Sequence, residues 1–141
     1  MMPTPILGPK LFTLDEANAL VPVVQEQVAR FRICLTELTA ARKDLAVQEL
    51  LLSSRGSEDN PDTRRHGEIT RSVESLSGEM AEIREEFRRL GCVPRSYRRG
   101  LVDFFSLREG RLVFLCWRLG ETSIGAWHPI DKGCAVRLPL A

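Results

Sequence analysis

The sequence lacks an excess of charge of either sign. Twenty Lys/Arg stand against nineteen Asp/Glu, a formal net charge of +1, which excludes a polyanion or a strongly basic binder working through its overall field. It also lacks any run approaching the ~20 apolar residues that a membrane span needs. The opening MMPTPILGPK has no apolar core of a secretory signal. The expectation is a cytoplasmic protein with no membrane partner. No CxxC occurs among the four cysteines at 34, 92, 116 and 134, and the surrounding core-forming sequence needs no covalent staples, so they read as reduced thiols. With 43% hydrophobic and 28% charged residues the chain is not disordered throughout. Its 141 residues suit one domain spanning 1–141.

What is present is strongly patterned. Thr13-Leu14-Asp15-Glu16 is a capping box that starts a helix. Ala17, Val21, Val24, Val28, Phe31, Leu35, Leu38, Leu45 and Leu52 then recur in steps of four and three, the spacing of a coiled-coil seam. Arg42 and Glu49 interrupt this seam. Pro22 predicts a kink near residues 18 to 22, or a short helix followed by a long one. A loop is expected at SSRGSEDNPDT, residues 53–63. A second helix over 64–90 carries Ile69, Val73, Leu76, Met80, Ile83, Phe87 and Leu90, and Gly91 ends it. Helices at 14–52 and 64–90 fold back as an antiparallel hairpin. Symmetric pairing about the loop sets Arg42 near Ser77 and Gly78, and Glu49 near Thr70 and Arg71. It also leaves residues 14 to about 28 without a helical partner, so the C-terminal third must cover them.

Residues 92–141 read as strands. Leu101–Phe105, Leu112–Arg118 and Ser123–His128 are rich in β-branched and aromatic residues and are separated by short Gly-containing segments. The fold class is therefore α+β: a long coiled-coil-like helical hairpin plus an antiparallel β-meander of three to four strands packed on the start of helix one. With two-residue turns at Glu109-Gly110 and Gly120-Glu121, 103 faces 116, 105 faces 114 and 117 faces 124. One face then holds Val102, Phe104, Val113, Leu115, Trp117, Ile124, Ala126 and His128. The other is mixed, with Leu101, Asp103, Phe105, Phe114, Cys116, Arg118, Gly125 and Trp127.

KLFTLDEANALVP near the start, with GLVDF, LCWRLGE, IGAWH and a tail containing Arg137 and Pro139, resembles the bacterial domain-of-unknown-function family 2203. The likeness covers residues 10 to 24 and 91 to 139. It implies a small soluble bacterial protein and carries no catalytic residue with it. The chain departs from that pattern at Phe105, where the family commonly has Pro, and at Val136, where it has a small residue.

Under the proposed register Asp103, Cys116, Arg118 and Trp127 converge on the mixed face, Asp103 across from Cys116 and diagonal to Arg118. A carboxylate, a thiol and a guanidinium framed by aromatic rings suit a small anionic or amphipathic ligand. The structural alternative is an Asp103 to Arg118 ion pair over a packed face, with Cys116 a small hydrophobe. Glu121, His128, Asp131 and Arg137 form a second tier. A thiol nucleophile and its base must lie within hydrogen-bond reach, and this register puts Cys116 and His128 on opposite faces. A small enzyme using Asp103, Cys116 and His128 would need the second turn to be one residue longer. His128 alone reads as a histidine at the core edge stabilised by Asp131. As metal ligands His128 and Asp131 fall short of the three that zinc wants, and adding Cys134 matches no zinc spacing, so no metal and no cofactor is assigned.

Arg95, Tyr97, Arg98 and Arg99 interleave cations with a ring, and residues 92–141 hold eight Lys/Arg against four Asp/Glu. Phosphate contact is one use, but a Lys-poor, nearly neutral chain lacks the broad stripe of a nucleic-acid binder, and none is expected as a partner. Ala19, Ile33, Ala40 and Val47 recur at multiples of seven outside the hairpin seam, extended by Leu50 and Leu51. Such a stripe needs a further partner, so the leading expectation is a homodimeric binding or scaffold protein, associating through its helices into a four-helix arrangement. Its sheet would then offer a site for a small anionic ligand or partner peptide.

Overall fold

A computed structural model of the chain describes residues 10–55 and 61–140. Helix α1 spans Leu14–Arg55 and α2 spans Pro61–Leu90; strands β1 (Val93–Ser96), β2 (Leu101–Arg108), β3 (Arg111–Arg118), β4 (Ala126–Pro129) and β5 (Leu138–Pro139) follow. Two long helices packed antiparallel thus precede a five-stranded antiparallel meander ordered β1-β2-β3-β4-β5. The sheet gains β1 and β5 over the expected three or four strands, because Val93–Ser96 pairs with β2 and the tail pairs with β4.

The capping box forms as read. The Thr13 amide donates to Glu16 Oε1 at 2.9 Å and the Glu16 amide donates to Thr13 Oγ1 at 3.1 Å. α1 then runs as one helix through Pro22 to Arg55, so it is not divided into a short and a long helix. α1 reaches Arg55 and α2 begins at Pro61, a residue suited to the first helical turn. The expected loop is therefore shorter at both ends, and its remaining residues, 56–60, lie outside the described residues. Gly91, at φ +83°, ends α2, and its amide donates to Phe87 O at 3.0 Å.

The chain divides into two compact units, one made of residues up to Ala29 together with those from Glu85 onward, the other of Arg30–Arg84. Within the second unit the helices pair by Asp44 with Arg65 (3.1 Å) and Glu49 with His66 (3.6 Å). This replaces the expected Glu49 to Arg71 pairing with a partner more than a helical turn nearer the start of α2. The Asp44–Arg65 pair is largely exposed and is worth no more than about 1 kcal/mol.

In the first unit one face of the sheet buries Val102, Phe104, Val113, Leu115 and Trp117. The start of the chain covers it. The Phe12 ring meets Phe104 edge-on at 5.3 Å, the Phe12 amide donates to Phe105 O at 2.8 Å, and Ser106 Oγ donates to Phe12 O at 2.6 Å. Asn18 Oδ1 accepts from the Ile124 amide at 2.7 Å, and Phe87 packs on Tyr97 at 5.8 Å. Each large apolar side chain sealed here contributes roughly 1.5–3 kcal/mol, and Phe12 and Asn18 tie the start of the chain to the strands.

Strand register decides what the other face holds. Glu109 (φ 53°) and Gly110 (φ 77°) form the expected two-residue turn, with Arg108 opposite Arg111 and Asp103 opposite Cys116. The second connection is not a two-residue turn but the segment Leu119–Gly125 between β3 and β4. Glu121 organises it: its carboxylate accepts from the Arg118 amide at 2.7 Å, and its carbonyl accepts from Trp117 Nε1 at 2.9 Å. The resulting register sets Phe114 opposite His128 and Cys116 opposite Ala126, one residue away from the expected pairing. A one-residue slip turns every side chain of a strand over. Ala126 and His128 therefore share a face with Asp103 and Cys116, while Trp127 goes to the face of Val113 and Leu115.

Candidate functional site

Three adjacent strands and one loop bring four polar groups together. Asp103 comes from β2, Cys116 from β3, His128 from β4 and Cys134 from the segment between β4 and β5. One ligand atom from each lies within 4.8 Å of all the others. His128 Nε2 is 3.0 Å from Asp103 Oδ2; Cys134 Sγ is 3.8 Å from His128 Nε2, 3.8 Å from Asp103 Oδ1 and 3.6 Å from Cys116 Sγ. Asp103 and Cys116 are 0% exposed and His128 1%. Cys134 is half-buried in an otherwise exposed stretch, so it is the one member that solvent reaches.

Neighbouring groups hold the cluster in place. Arg95 Nε donates to Asp103 Oδ2 at 2.8 Å, and its guanidinium lies over the Phe114 ring at 4.6 Å. The Phe114 ring packs beside His128 with centroids 5.3 Å apart. Arg137 donates to the carbonyl of Cys116 at 3.2 Å and pairs with Glu121 at 2.9 Å, which anchors the tail beside the cluster. Burial, reinforced by the Asp103 charge, pushes both the Cys116 and Cys134 thiols up from their ordinary value. Among the described residues, this is the set of His, Cys, Asp and Glu side chains whose geometry could hold a metal ion.

The structure brings together only part of the expected site. Asp103 and Cys116 stand opposite one another as expected, but Arg118 is exposed and does not pair with Asp103, whose partners are Arg95 and His128. Trp127 leaves the mixed face; Arg108 lies over its ring at 5.0 Å. Asp131 is exposed, and His128 is held by Pro129 O and Asp103 instead. Glu121 and Arg137 bind each other. Sequence reasoning missed Arg95 as the partner of Asp103 and Cys134 as a neighbour of Cys116. The available signal was the second turn: one added residue unites Cys116 with His128, and Cys134 follows.

A cavity of about 540 Å³ opens onto the cluster, lined by Arg95, Arg99, Asp103, His128, Lys132 and Cys134 among others. A second, of about 720 Å³, lies on the Trp127 side, where Arg108, Arg111, Leu112, Pro129 and Ile130 surround the indole and Glu109 and Asp131 complete the rim.

The family described as "Uncharacterized conserved protein (DUF2203)" matches residues 10–140. No curated protein and no solved structure matches the chain.

Proposed function

The chain belongs to the DUF2203 family of uncharacterized conserved proteins, and we propose that it is a binding and scaffold protein rather than an enzyme. The observation that carries this reading is the sealing of Asp103, Cys116 and His128, which are at most 1% exposed. A nucleophile and base must reach a reactant, and although a cavity borders Asp103 and His128, these two residues and Cys116 expose at most 1% of their surface. Their thiol partners are also held in the protonated form by burial.

The binding surface is the larger cavity. Trp127 offers a half-buried aromatic face with Arg108 stacked on it, and Arg111 stands directly opposite Arg108 across the hairpin. Two like charges opposed on one face repel each other, and an anionic group seated between them relieves that repulsion. Leu112 and Ile130, 39% and 40% exposed, supply apolar walls. A small amphipathic carboxylate or sulfonate fits this combination. Titration with 1-anilinonaphthalene-8-sulfonate, followed by probe fluorescence and by quenching of Trp127, tests it. Trp117, the second tryptophan, is sealed. Saturable binding is expected, weakened about tenfold in Arg111→Gln by loss of one charge-assisted contact. Linear, unsaturable fluorescence that is indifferent to Trp127→Ala would remove the site.

The scaffold part rests on α1, where Ile33, Val47 and Leu50 are 59%, 49% and 71% exposed. We propose that a second copy covers this stripe through its own α1, since Ile33, Ala40 and Val47 recur every seven residues with Leu50 three beyond, a spacing that suits a helical seam. Sedimentation of the wild type beside Ile33→Glu/Val47→Glu decides: a dimer that dissociates in the variant is expected, and an unchanged mass would sink it.

A further inference from the structure

We propose that Asp103, Cys116, His128 and Cys134 form a four-coordinate site for a zinc-class divalent cation. The inference deepens the sealed, non-catalytic reading of this cluster by naming what it holds.

The hydrogen bonds of His128 leave Nε2 and Asp103 Oδ2 to share one cation, either a proton on the ring or a metal ion. His128 Nδ1 lies 3.0 Å from the carbonyl of Pro129, which can only accept, so Nδ1 carries a proton. In a neutral ring Nε2 is then a bare lone pair, and it points at Asp103 Oδ2 from 3.0 Å. Two acceptors facing each other at that distance repel, and both residues are sealed from water. A cation between them turns the repulsion into two bonds. The carbonyl contact to Nδ1 is also the outer-sphere hydrogen bond that orients metal-ligating imidazoles.

The spacing of the donors agrees. Zinc–ligand bonds of about 2.0–2.3 Å at tetrahedral angles give edges of roughly 3.8 Å between two sulfurs, 3.5 Å between sulfur and nitrogen or oxygen, and 3.4 Å between nitrogen and oxygen. The distances observed are 3.6 Å for the sulfur pair, 3.8 Å from Cys134 Sγ to His128 Nε2 and to Asp103 Oδ1, and 3.0 Å from His128 Nε2 to the other carboxylate oxygen, Asp103 Oδ2. These four separations are within about 0.4 Å of the tetrahedral figures, and all the ligand atoms lie within 4.8 Å of one another. Two sulfurs, one imidazole and one carboxylate favour zinc over the hard cations, which take oxygen donors. Four protein ligands close the coordination sphere, which is the arrangement of a structural site rather than a catalytic one.

Charge balances as well. On binding, Cys116 and Cys134 release their thiol protons to solvent, and the two thiolates neutralise the divalent ion. The charge left on Asp103 is met by Arg95 at 2.8 Å. The 540 Å³ cavity bordering Cys134 provides the entry path. Cys134 is the one ligand outside the sheet, in a segment that is exposed on both sides of it. The ion would therefore clasp the segment between β4 and β5 onto the sheet.

The test uses full-length protein purified without chelator, its metal content measured, then stripped and refilled with zinc or cobalt(II). About one zinc per chain is expected, with a cobalt form showing the intense visible bands of a tetrahedral site and a near-ultraviolet thiolate band. Cys134→Ala changes only a loop residue, so folding is retained. It should weaken the thiolate band and lower zinc affinity more than about tenfold, while Cys34→Ser leaves both unchanged. A wild type that takes up no stoichiometric zinc, or a cobalt form without the thiolate band, overturns the site. So does a Cys134→Ala protein that binds like the wild type. Probe titration and sedimentation on the same samples separate the readings, because a metal-free protein that still dimerises and binds the probe defeats only the metal inference.

Discussion

Gly100 is the turn on which the polar face depends, and its replacement has a calculable cost. It sits between β1, which carries Arg95, and β2, which carries Asp103, at φ +68°. Its carbonyl accepts from the Leu119 amide at 2.7 Å, tying this turn to the start of the β3–β4 connection. A Cβ added at Gly100 would lie 2.4 Å from Leu119 Cβ, an atom fixed to the backbone that cannot swing away. Gly100→Ala therefore carries two penalties, about 1–2 kcal/mol for a left-handed alanine and about 1–3 kcal/mol for the overlap. Gly110→Ala is the matched control, since φ there is +77° and nothing lies within 4 Å of the new Cβ. It carries only the first penalty. With a urea dependence of about 2 kcal/mol per M, the Gly110 variant should lose under about 1 M in midpoint and the Gly100 variant about 1 M more. Circular dichroism in urea measures both. Equal midpoints would show that Leu119 yields and that the close approach of the two turns does not constrain the sheet.

Thr13→Ala should cost about 1 kcal/mol in the same assay, the usual loss for an N-cap. The Thr13 amide and hydroxyl hold the Glu16 carboxyl below its ordinary value of 4.5, so this part of the cap is complete above the unfolded pKa and is lost as pH falls through the lower folded one. Paired melts at neutral and strongly acidic pH should show the penalty of Glu16→Ala, which removes the carboxylate that accepts from the Thr13 amide, shrinking in acid; a penalty independent of pH would count against the reciprocal bond. Burial pushes the Cys92 thiol up to about 12, so at pH 8 a disulfide-exchange reagent should label it only after urea is added. Rapid native labelling, located by mass spectrometry, would contradict the packing around it.

Local and periodic features were legible because each depends on residues near in sequence or on a regular repeat. The capping box at Thr13–Glu16, the glycine stop at 91 and the Glu109-Gly110 turn are set by a few adjacent residues with specific backbone demands. The helical seam and the pairing of Asp103 with Cys116 follow from periods of 3.5 and 2. So did the need for the C-terminal third to cover the start of α1, since apolar side chains without a helical partner must find another one.

What only the tertiary structure decided is the length of one connection. Whether β3 and β4 are joined by two residues or by the longer segment that Glu121 and Asn18 hold is a matter of contacts from remote parts of the chain, and no local propensity encodes it. That single residue of register moved His128 to the side of Asp103 and Cys116 and sent Trp127 to the other side beside Arg108. Cys134 completes the cluster because the tail returns along β4, which sequence spacing cannot register. Strands convert small differences in loop length into a change of face, so the composition of a site that spans three strands is fixed by packing, while the strands themselves are fixed by pattern.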